Sequence, residues 1–358
     1  MRLAFYAPLK PPTHATPSGD RAMARAVMHA LEHIGAHVTL ASALRTRDGH
    51  GDPQLQRDLM EQSAQEVARL ARDNHALGWD AWVTYHNYYK APDLIGPQVA
   101  RHLGIPYLQI ECSRARKRLV GEWAAFAHAS EAAADAADVI FYLTQQDAQA
   151  LHQEARAGQH LIHLRPFLDQ TDLPSASRLD GPMLTTAMMR EGDKLQSYRI
   201  IAETLALLPQ GTWRLHIAGD GPARPQIEGL MAPFGTAVTF LGALDKAAMQ
   251  AAYQTASVLF WPGVNEAFGL TYLEAQAAGV PVVAQDRPGV QDVLAPGYYP
   301  AVTDGVPALA KQLMAYLGTD QIRRDAGRRA REHIAERHLL PEAAMTLRRG
   351  LAASGLSV

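Results

Sequence analysis

The sequence predicts an α/β protein of two domains, each built on a doubly wound parallel sheet. At 358 residues the chain is too long for one typical domain and comfortable for two. Short apolar runs alternate with helical patterns along both halves, as expected of βα units and a parallel sheet. Residues 166–182 interrupt this alternation with Pro, Ser and Asp in no regular spacing, so we expect an interdomain linker there.

Composition and charge exclude several classes of protein. A content of 47% hydrophobic and 20% charged residues is globular, and a net charge of -2 gives no case for nucleic acid as a partner. The single cysteine, Cys112, excludes an internal disulfide and favours a reducing compartment. No apolar run approaches membrane-spanning length, and the first residues read as a strand, not as a signal peptide. We therefore expect a cytoplasmic protein, with peripheral contact with the inner membrane face left open.

Periodicity locates the elements of both domains. In the first domain, residues 1–170, Ser18 is a candidate N-cap for a helix that ends before Gly35. The expected strands of this domain are 3–7, 38–41, 81–85, 106–110, 139–143 and 161–164. Those of the second domain, residues 183–339, are 184–188, 213–218, 238–241, 258–261 and 281–284, with helices between them.

The stretch from Trp261 to Ala284 carries the clearest functional signal. It reads as strand, polar loop, helix and strand, and the loop lies at the strand edge where parallel sheets bind ligands. Glu266 precedes the helix, and Glu274 lies roughly two turns into it. The helix N-terminus suits a diphosphate, and two carboxylates suit sugar and ribose hydroxyls, so the pattern favours a sugar nucleotide. Alternatively, both glutamates are ordinary exposed residues.

The same stretch resembles a known family. Glu266-Ala-Phe-Gly-Leu-Thr-Tyr-Leu-Glu274, followed by Ala-Gln-Ala-Ala-Gly-Val-Pro-Val-Val, is similar to the signature of the retaining glycosyltransferases of family four, also called glycosyl transferases group 1. The resemblance implies the GT-B fold, in which two Rossmann-like domains face each other across a cleft. It also implies that the second domain binds the donor, the first binds the acceptor, and a C-terminal helix within residues 340–358 packs back on the first domain.

Resemblance also implies which residues bind the donor. Lys194 matches a diphosphate-binding lysine, but the family's arginine position is occupied by methionine, so Arg190 is the nearest substitute. The alternative for this loop is a solvated turn with a Glu191–Lys194 pair. Gly219 and Gly221 match a tetrad that shapes the floor of the site, and the lack of a third glycine argues against a dinucleotide loop. The remaining donor-binding candidates are Gly19, Leu241, Glu266, Ala267, Phe268, Gly269, Leu270 and Glu274.

A histidine is usual in the family at the end of the strand predicted at 106–110, but this chain has Glu111 there. The nearest histidine, His86, ends the preceding predicted strand. Either side chain could contact the transferred sugar, and a buried turn histidine is the alternative. The catalytic candidates are His86, Glu111, Arg190, Lys194 and Glu266.

The densest basic cluster contains Arg114, Arg116 and Arg118. It is either a solvated face or a site for an anionic acceptor or for anionic lipid headgroups.

These observations predict a metal-independent enzyme without a cofactor, since cationic side chains replace a metal ion and no Asp-x-Asp motif is present. The resemblance to the family implies the reaction: retaining transfer of a hexosyl group from a UDP- or GDP-sugar to a glycan or lipid-linked glycan of the cell envelope. Two alternatives remain: an epimerase or hydrolase of the same fold, and a non-catalytic sugar-nucleotide-binding protein.

Overall fold

The computed structural model describes residues 1–16 and 18–357, except for the side chains of residues 73–77. The chain divides into two compact units. Unit 1 comprises Met1–Arg165 and Leu340–Val358, and unit 2 comprises Pro166–Leu339. In the described chain, no helix combines the length and apolar character needed to cross a membrane.

Unit 1 is built on a six-stranded parallel sheet. Its strands are β1 (Arg2–Tyr6), β2 (His37–Ser42), β3 (Ala81–Asn87), β4 (Tyr107–Cys112), β5 (Val139–Tyr142) and β6 (His160–His163). Its helices are α1 (Gly19–His33), α2 (Pro53–Leu77), α3 (Gly96–Leu103), α4 (Ala124–Ala136), α5 (Gln145–Gln153) and, from the end of the chain, α12 (Leu340–Ala353). The strand order is β2-β1-β3-β4-β5-β6, and every pairing is parallel.

Unit 2 is built on a five-stranded parallel sheet. Its strands are β7 (Met183–Thr186), β8 (Leu215–Ala218), β9 (Val238–Gly242), β10 (Leu259–Phe260) and β11 (Val282–Val283). Its helices are α6 (Asp193–Leu205), α7 (Arg224–Met231), α8 (Lys246–Tyr253), α9 (Leu270–Ala277), α10 (Gly305–Gly318) and α11 (Asp320–Arg337). The strand order is β11-β10-β7-β8-β9, again with parallel pairing throughout. The α/β class with two parallel sheets is therefore confirmed.

Local sequence signals explain how the first helix is placed. The side chain of Ser18 accepts a hydrogen bond of 3.2 Å from the backbone N–H of Arg21, so the predicted N-cap is confirmed. Met23, Val27 and Leu31 recur at helical spacing and are buried. This apolar face lets α1 pack on the unit, next to α12.

The segment 166–182 is packed on unit 2 and is not a free linker. Phe167 and Leu179 are buried. The backbone N–H of Ser177 donates to the carbonyl of Ala278, and its hydroxyl donates to the carbonyl of Ala256. The prolines and polar residues of this segment predict an interdomain linker, and the boundary between the two units lies at its start, between Arg165 and Pro166.

Parallel pairing brings the C-terminal ends of all strands in a sheet to the same edge. In unit 1 this edge carries the ends of β3 and β4. In unit 2 it carries the loops after β7, β8 and β10. The candidate residues of the sequence analysis lie on these two edges, one in each unit.

Candidate functional site

Lys194 and Glu266 form an ion pair at the strand edge of unit 2. Lys194 lies in the first turn of α6, and Glu266 lies in the loop between β10 and α9. The indole N–H of Trp261 donates a hydrogen bond of 2.8 Å to the same glutamate oxygen, Oε1. Lys194 Nζ also lies 5.3 Å from the centroid of the Trp261 ring. The two candidate side chains therefore lie together on a buried aromatic base, and both keep partial access to water, at 25% and 14% side-chain exposure.

Polar contacts fix the loop that carries Glu266 against the start of α6. The side-chain amide of Asn265 donates to Asp193 Oδ2 at 2.8 Å. The backbone N–H of Val264 donates to Ser197 Oγ at 3.1 Å. Asn265 has a φ of 51°, a left-handed conformation that asparagine tolerates better than most residues. These contacts hold Glu266 in place before any ligand binds.

Two glycines with positive φ support the same loop. Gly269 has a φ of 81°, and a Cβ there would lie 2.7 Å from the ring of Tyr272. Gly289 also has a φ of 81°, and a Cβ there would lie 1.9 Å from the carbonyl oxygen of Ala267. The Tyr272 hydroxyl in turn donates to the Trp261 carbonyl at 3.0 Å. Close packing therefore fixes how the chain enters α9.

The N-terminus of α9 lies immediately after this loop. The helix begins at Leu270, and Gly269 is its N-cap. The first N–H groups of a helix have no acceptor within it, and the helix dipole makes this end positive. Phe268 is buried, so it anchors the backbone that precedes these groups. The arrangement can accommodate an oxyanion beside Lys194.

Glu274 lies on the less buried face of α9, which it shares with Leu270 and Thr271. Its Oε2 accepts a hydrogen bond of 3.0 Å from the Tyr253 hydroxyl, which is also 3.2 Å from Thr271 Oγ1. Burial, together with the nearby Glu274 carboxylate, raises the pKa of Tyr253 well above its usual value, so the hydroxyl stays protonated and donates. The carboxylate is thus oriented but remains exposed.

Gly219 and Gly221 bring the loop after β8 against the loop after β7. A Cβ on Gly219 would lie 1.9 Å from the Ala187 carbonyl oxygen, and one on Gly221 would lie 2.3 Å from that of Met189. Both have large positive φ, 141° and 151°, so glycine is required at each position. Their structural role is to allow the two loops to touch.

The remaining donor candidates of unit 2 lie around these loops. The Arg190 side chain is exposed at the turn after β7, and Leu241 is half-buried near the end of β9. The alternative Glu191–Lys194 pair is not formed, because Lys194 pairs with Glu266 and Glu191 Oε1 accepts from the side-chain amide of Gln226 at 3.3 Å.

The strand edge of unit 1 brings His86 and Glu111 together. Each is the penultimate residue of its strand, and the register of β3 with β4 places them opposite each other. His86 Nδ1 lies 3.1 Å from Asp20 Oδ1 and 3.8 Å from Glu111 Oε2. Both His86 and Glu111 have left-handed backbone, with φ of 65° and 58°. Such conformations in non-glycine residues are costly and cluster at functional sites.

Carboxylates control the charge of this histidine. Burial on its own would lower the pKa of His86, but Glu111 and Asp20 oppose it and raise the pKa to about 9. Burial raises the pKa of Glu111. At neutral pH His86 is therefore an imidazolium held by acidic neighbours, which makes it a hydrogen-bond donor and not a general base.

Gly19 begins α1, next to Asp20. A Cβ on Gly19 would have no neighbour within 4 Å, so protein packing does not require glycine there. The structure therefore places Gly19 beside the carboxylate that binds His86, and its phosphate-binding role stays a prediction.

Arg114 does not belong to an exposed basic cluster. Its side chain is 2% exposed, and its Nη1 lies 2.8 Å from both Glu131 and Asp135. Because the guanidinium is buried between carboxylates of α4, Arg114 holds the chain in place and cannot reach an acceptor from this position. The acceptor prediction for Arg114 is therefore corrected to a structural role.

Arg116 and Arg118 remain at the surface. The Arg116 side chain is 65% exposed and pairs with Glu154 at 2.7 Å. The Arg118 guanidinium lies 5.2 Å from the centroid of the Tyr89 ring. Their role in acceptor binding stays a prediction.

Several residues at these sites were not singled out from the sequence. They are Asp20, Trp261, Asn265, Asp193, Ser197 and Tyr253. The side chains of Asn265 and Asp193 could have been suspected, since polar residues after a strand end point to a ligand edge. The contacts of Tyr253 with Glu274, and of Asp20 with His86, carry no signal in sequence spacing.

Unit 2 is similar in sequence to a known protein family and to several curated proteins. The model of the family described as glycosyl transferases group 1 matches residues 184–318. The GDP-mannose-dependent alpha-mannosyltransferase of Mycolicibacterium smegmatis is 42% identical over 95 residues, which are 26% of this chain and 24% of that protein. The D-inositol 3-phosphate glycosyltransferase of Corynebacterium efficiens is 30% identical over 225 residues, 56% of this chain and 53% of that protein. The chain spans about a quarter and about half the length of these two relatives.

Solved structures resemble the chain over nearly its whole length. Sucrose-phosphate synthase from Thermosynechococcus elongatus has a TM-score of 0.74 at 20% identity, with 99% of each chain covered. The Anabaena protein HepE, solved in complex with UDP and glucose, has a TM-score of 0.71 at 15% identity, with 99% of this chain and 100% of that chain covered. At such low identity the likeness shows the fold, which is GT-B.

Proposed function

We propose that the protein is a retaining glycosyltransferase that moves a hexosyl group from a UDP- or GDP-sugar to a glycan or lipid-linked glycan acceptor of the cell envelope. The observation that carries the proposal is the network of Lys194, Glu266 and Trp261 beside the N-terminus of α9. It lies within the stretch matched by the glycosyl transferases group 1 model. The name of the GDP-mannose-dependent alpha-mannosyltransferase, a relative of this chain, favours a nucleotide-sugar donor.

Unit 2 is proposed to bind the donor. As the bond to the anomeric carbon breaks, negative charge grows on the departing diphosphate. Lys194 and the N–H groups at the start of α9 are fixed donors that offset this charge, with Arg190 as a second cation. No divalent cation is then required, so the enzyme is proposed to work without a metal.

The Lys194–Glu266 ion pair is proposed to rearrange when the donor binds. When a diphosphate binds, Lys194 shares its charge between phosphate and carboxylate, and a Glu266 oxygen becomes available to a sugar hydroxyl. Trp261 continues to hold Glu266 through its indole N–H, so the carboxylate keeps its orientation during this exchange. Glu274, oriented by Tyr253, is proposed to accept hydrogen bonds from the ribose.

Unit 1 is proposed to bind the acceptor. The imidazolium of His86 donates a hydrogen bond to a substrate oxygen, and Glu111 and Asp20 maintain its charge. Arg116 and Arg118 would attract an anionic acceptor. Retention of configuration is proposed from the resemblance to the family. Contact with the inner membrane face is proposed through the exposed arginines Arg116 and Arg118.

The test begins with a panel of nucleotide sugars screened by thermal shift, because a ligand that binds the native state raises its apparent stability. The stabilising donor is then incubated with and without candidate acceptors, and the anomeric configuration of the product is read by proton NMR. We expect transfer that depends on the acceptor and retains configuration. Equal donor turnover without acceptor would indicate an epimerase or hydrolase, and binding without turnover would indicate a sensor.

A further inference from the structure

Three cations lie at the C-terminal strand edge of unit 1, at the same edge as His86. Arg45 and Arg47 lie in the chain after β2, and Lys90 lies in the chain after β3. Strands β2, β1 and β3 are neighbours in the sheet and run parallel, so the segments that follow them meet at one edge. The cations therefore lie at the edge that is proposed to bind the acceptor.

Hydrogen bonds join the three segments that follow these strands. The backbone N–H of Thr46 donates to the Pro8 carbonyl at 3.1 Å, and its hydroxyl donates to the Pro92 carbonyl at 2.7 Å. The backbone N–H of Asp48 donates to the Lys90 carbonyl at 2.9 Å. The backbone that carries the cations is thus one connected framework, which is formed before any ligand binds.

Arg45 and Arg47 lie close together although their charges are alike. Both side chains are exposed, and Arg45 Nε is held by a hydrogen bond of 2.8 Å to the Leu9 carbonyl. Burial and the neighbouring Arg47 guanidinium lower the pKa of Arg45. Asp20 also acts on Arg45, but this carboxylate already lies 3.1 Å from His86. The repulsion between the two guanidinium groups is relieved when an anion binds beside them.

Aromatic rings hold the third cation. Lys90 Nζ lies 5.8 Å from the ring centroid of Tyr89 and 5.3 Å from that of Trp123. The Tyr88 ring continues this group toward the histidine, at 5.7 Å from the Tyr89 ring and 4.8 Å from the His86 ring. An aromatic face attracts a cation but does not neutralise its charge as a carboxylate would. Lys90 is thus held in place with its charge available to a ligand.

The three cations differ in this respect from other arginines of the unit. Within the part of the chain that the structure describes, Arg45, Arg47 and Lys90 form no ion pair. By contrast, Arg114 pairs with Glu131. Several cations on one fixed framework favour a dianion over a monoanion. A phosphate monoester carries a charge of about −1.5 to −2 at neutral pH, and guanidinium binds it with two parallel hydrogen bonds.

We propose that Arg45, Arg47 and Lys90 bind a phosphate monoester carried by the acceptor, which is then a phosphorylated sugar or polyol. The phosphate lies among the cations, and hydroxyls of the same molecule lie toward His86. No bond to this phosphate is made or broken, so its part is to position the acceptor. The inference rests on the proposed function, because it specifies the acceptor that unit 1 binds.

The first test follows the indole N–H signal of Trp123 by NMR in ¹⁵N-tryptophan-labelled protein, with glucose 6-phosphate as the probe. The chain has five tryptophans, and Trp123→Phe identifies the signal. We expect a saturable shift with glucose 6-phosphate and none with glucose. Glucuronate, which carries a single carboxylate, should bind at least tenfold more weakly at equal ionic strength. Equal binding of the three compounds would overturn the proposal, as would a signal that glucose 6-phosphate does not move.

Substitution of the arginines provides the second test. Arg45→Gln and Arg47→Gln should each weaken glucose 6-phosphate binding at least tenfold. The control is Arg101→Gln, at an exposed arginine in the last turn of α3, and it should bind as the parent does. Because α3 runs from the end of β3 back to the start of β4, Arg101 lies at the opposite edge of the sheet. Parent affinity in both variants would overturn the proposal.

The melting temperature shows whether the variants fold. Arg47→Gln removes the repulsion with Arg45, so without ligand its melting temperature should equal or exceed that of the parent. The increase caused by glucose 6-phosphate should shrink in this variant. A full increase would mean that the sugar phosphate binds elsewhere, and the proposal would fail.

Vesicles distinguish a phosphorylated acceptor from a membrane surface. Phosphatidylglycerol and phosphatidylcholine vesicles are added in turn to the labelled protein. If phosphatidylglycerol vesicles shift the Trp123 signal and glucose 6-phosphate does not, the cations bind lipid headgroups and the proposal is wrong.

A transfer assay separates this inference from the proposed function. Sugar phosphates and the same sugars without phosphate are compared as acceptors with the donor found by screening. We expect the phosphorylated forms to be preferred, and Arg47→Gln to raise their KM at least tenfold while the KM of the donor stays unchanged. Transfer to neutral sugars at an equal rate would overturn this inference and leave the proposed function standing. Absence of transfer, with the Trp123 response retained in the parent and in Lys194→Ala, would defeat the proposed function and leave a phosphate site without an acceptor role.

Discussion

The C-terminal strand edge of unit 2 combines a lysine with the N-terminus of a helix, whereas that of unit 1 combines one histidine with several acids. In unit 2, the ion pair of Lys194 among the described residues is with Glu266. In unit 1, Asp20, Glu111 and Asp147 all act on His86. Both edges lie at the C-terminal ends of parallel strands, so the difference in charge between them comes from the side chains placed there.

Both edges contain residues other than glycine with left-handed backbone conformation. It occurs at His86 and Glu111 in unit 1 and at Asn265 in unit 2. This geometry turns the chain sharply at a strand end or in a loop and is costly for ordinary residues. Its presence at both edges suggests that each is held in a defined arrangement for binding.

The largest effect on the rate is expected from removal of the Lys194 side chain in unit 2. Lys194→Ala should lower kcat by at least about a hundredfold, because it removes a fixed donor to the departing diphosphate. Steady-state kinetics with the donor found by screening provide the measurement. Lys311→Ala, at an exposed lysine of α10, is the matched control and should keep the parent rate.

The ion pair predicts that Lys194 and Glu266 act together. In a double-mutant cycle, Lys194→Ala with Glu266→Ala should lower kcat by less than the product of the two single effects. Additive effects in this cycle would mean that the pair seen in the structure has no part in turnover.

The next effect concerns nucleotide binding. Glu274→Ala should weaken affinity for the free nucleoside diphosphate by roughly tenfold or more, as expected from loss of a charged hydrogen bond of about 1.5–3 kcal/mol. Tyr253→Phe removes only the hydroxyl that orients Glu274, so its effect should be smaller and in the same direction. Titration calorimetry measures both. Unchanged affinity in a folded Glu274→Ala protein would remove this carboxylate from the site.

Replacing His86 in unit 1 should change the stability of the protein in a pH-dependent way. The pKa of His86 is about 9 in the folded protein, above its usual 6.5, so its ion pairs stabilise the fold fully below about pH 6.5 and are lost as pH rises through 9. His86→Asn keeps a residue that tolerates left-handed backbone. The melting temperature of the variant should therefore lie furthest below that of the parent at acidic pH. The difference between the two melting temperatures should shrink as the pH approaches 9. A difference independent of pH would contradict the charged state of His86.

Removal of divalent metal ions is expected to have no effect on the transfer rate. Treatment with a chelator should leave the transfer rate unchanged, since Lys194 and the start of α9 replace a metal ion at the diphosphate. The rate is measured before and after dialysis against EDTA, and again after adding magnesium or manganese. Loss of activity that these ions restore would defeat the proposed mechanism.

Sequence patterns predicted the fold well because its signals are local. Apolar runs marked the strands, and Ser18 marked the start of the first helix. The expected linker begins where the chain passes from one unit to the other, but its polar composition does not reveal that Phe167 and Leu179 are buried.

The site was harder to predict because its contacts join distant positions. Lys194 and Glu266 are 72 residues apart, and Tyr253 lies 21 residues from Glu274. Arg114 appeared as part of a charge cluster, but Glu131, which buries it, is 17 residues away. Local charge density cannot show whether an arginine will meet an acid in the folded chain.

Diphosphate binding by unit 2 is tested most directly by comparing two ligands on two variants. A nucleoside diphosphate and the nucleoside without phosphates are titrated into the parent, Lys194→Ala and Glu266→Ala, and the rates of the three proteins are compared across a panel of nucleotide sugars. Lys194→Ala should lose at least about tenfold in diphosphate affinity and keep nucleoside affinity, as for loss of a charged hydrogen bond. Glu266→Ala should keep diphosphate binding and lose discrimination between donor sugars. Unchanged diphosphate affinity in Lys194→Ala, or its loss in Glu266→Ala with sugar preference intact, would contradict the assigned roles.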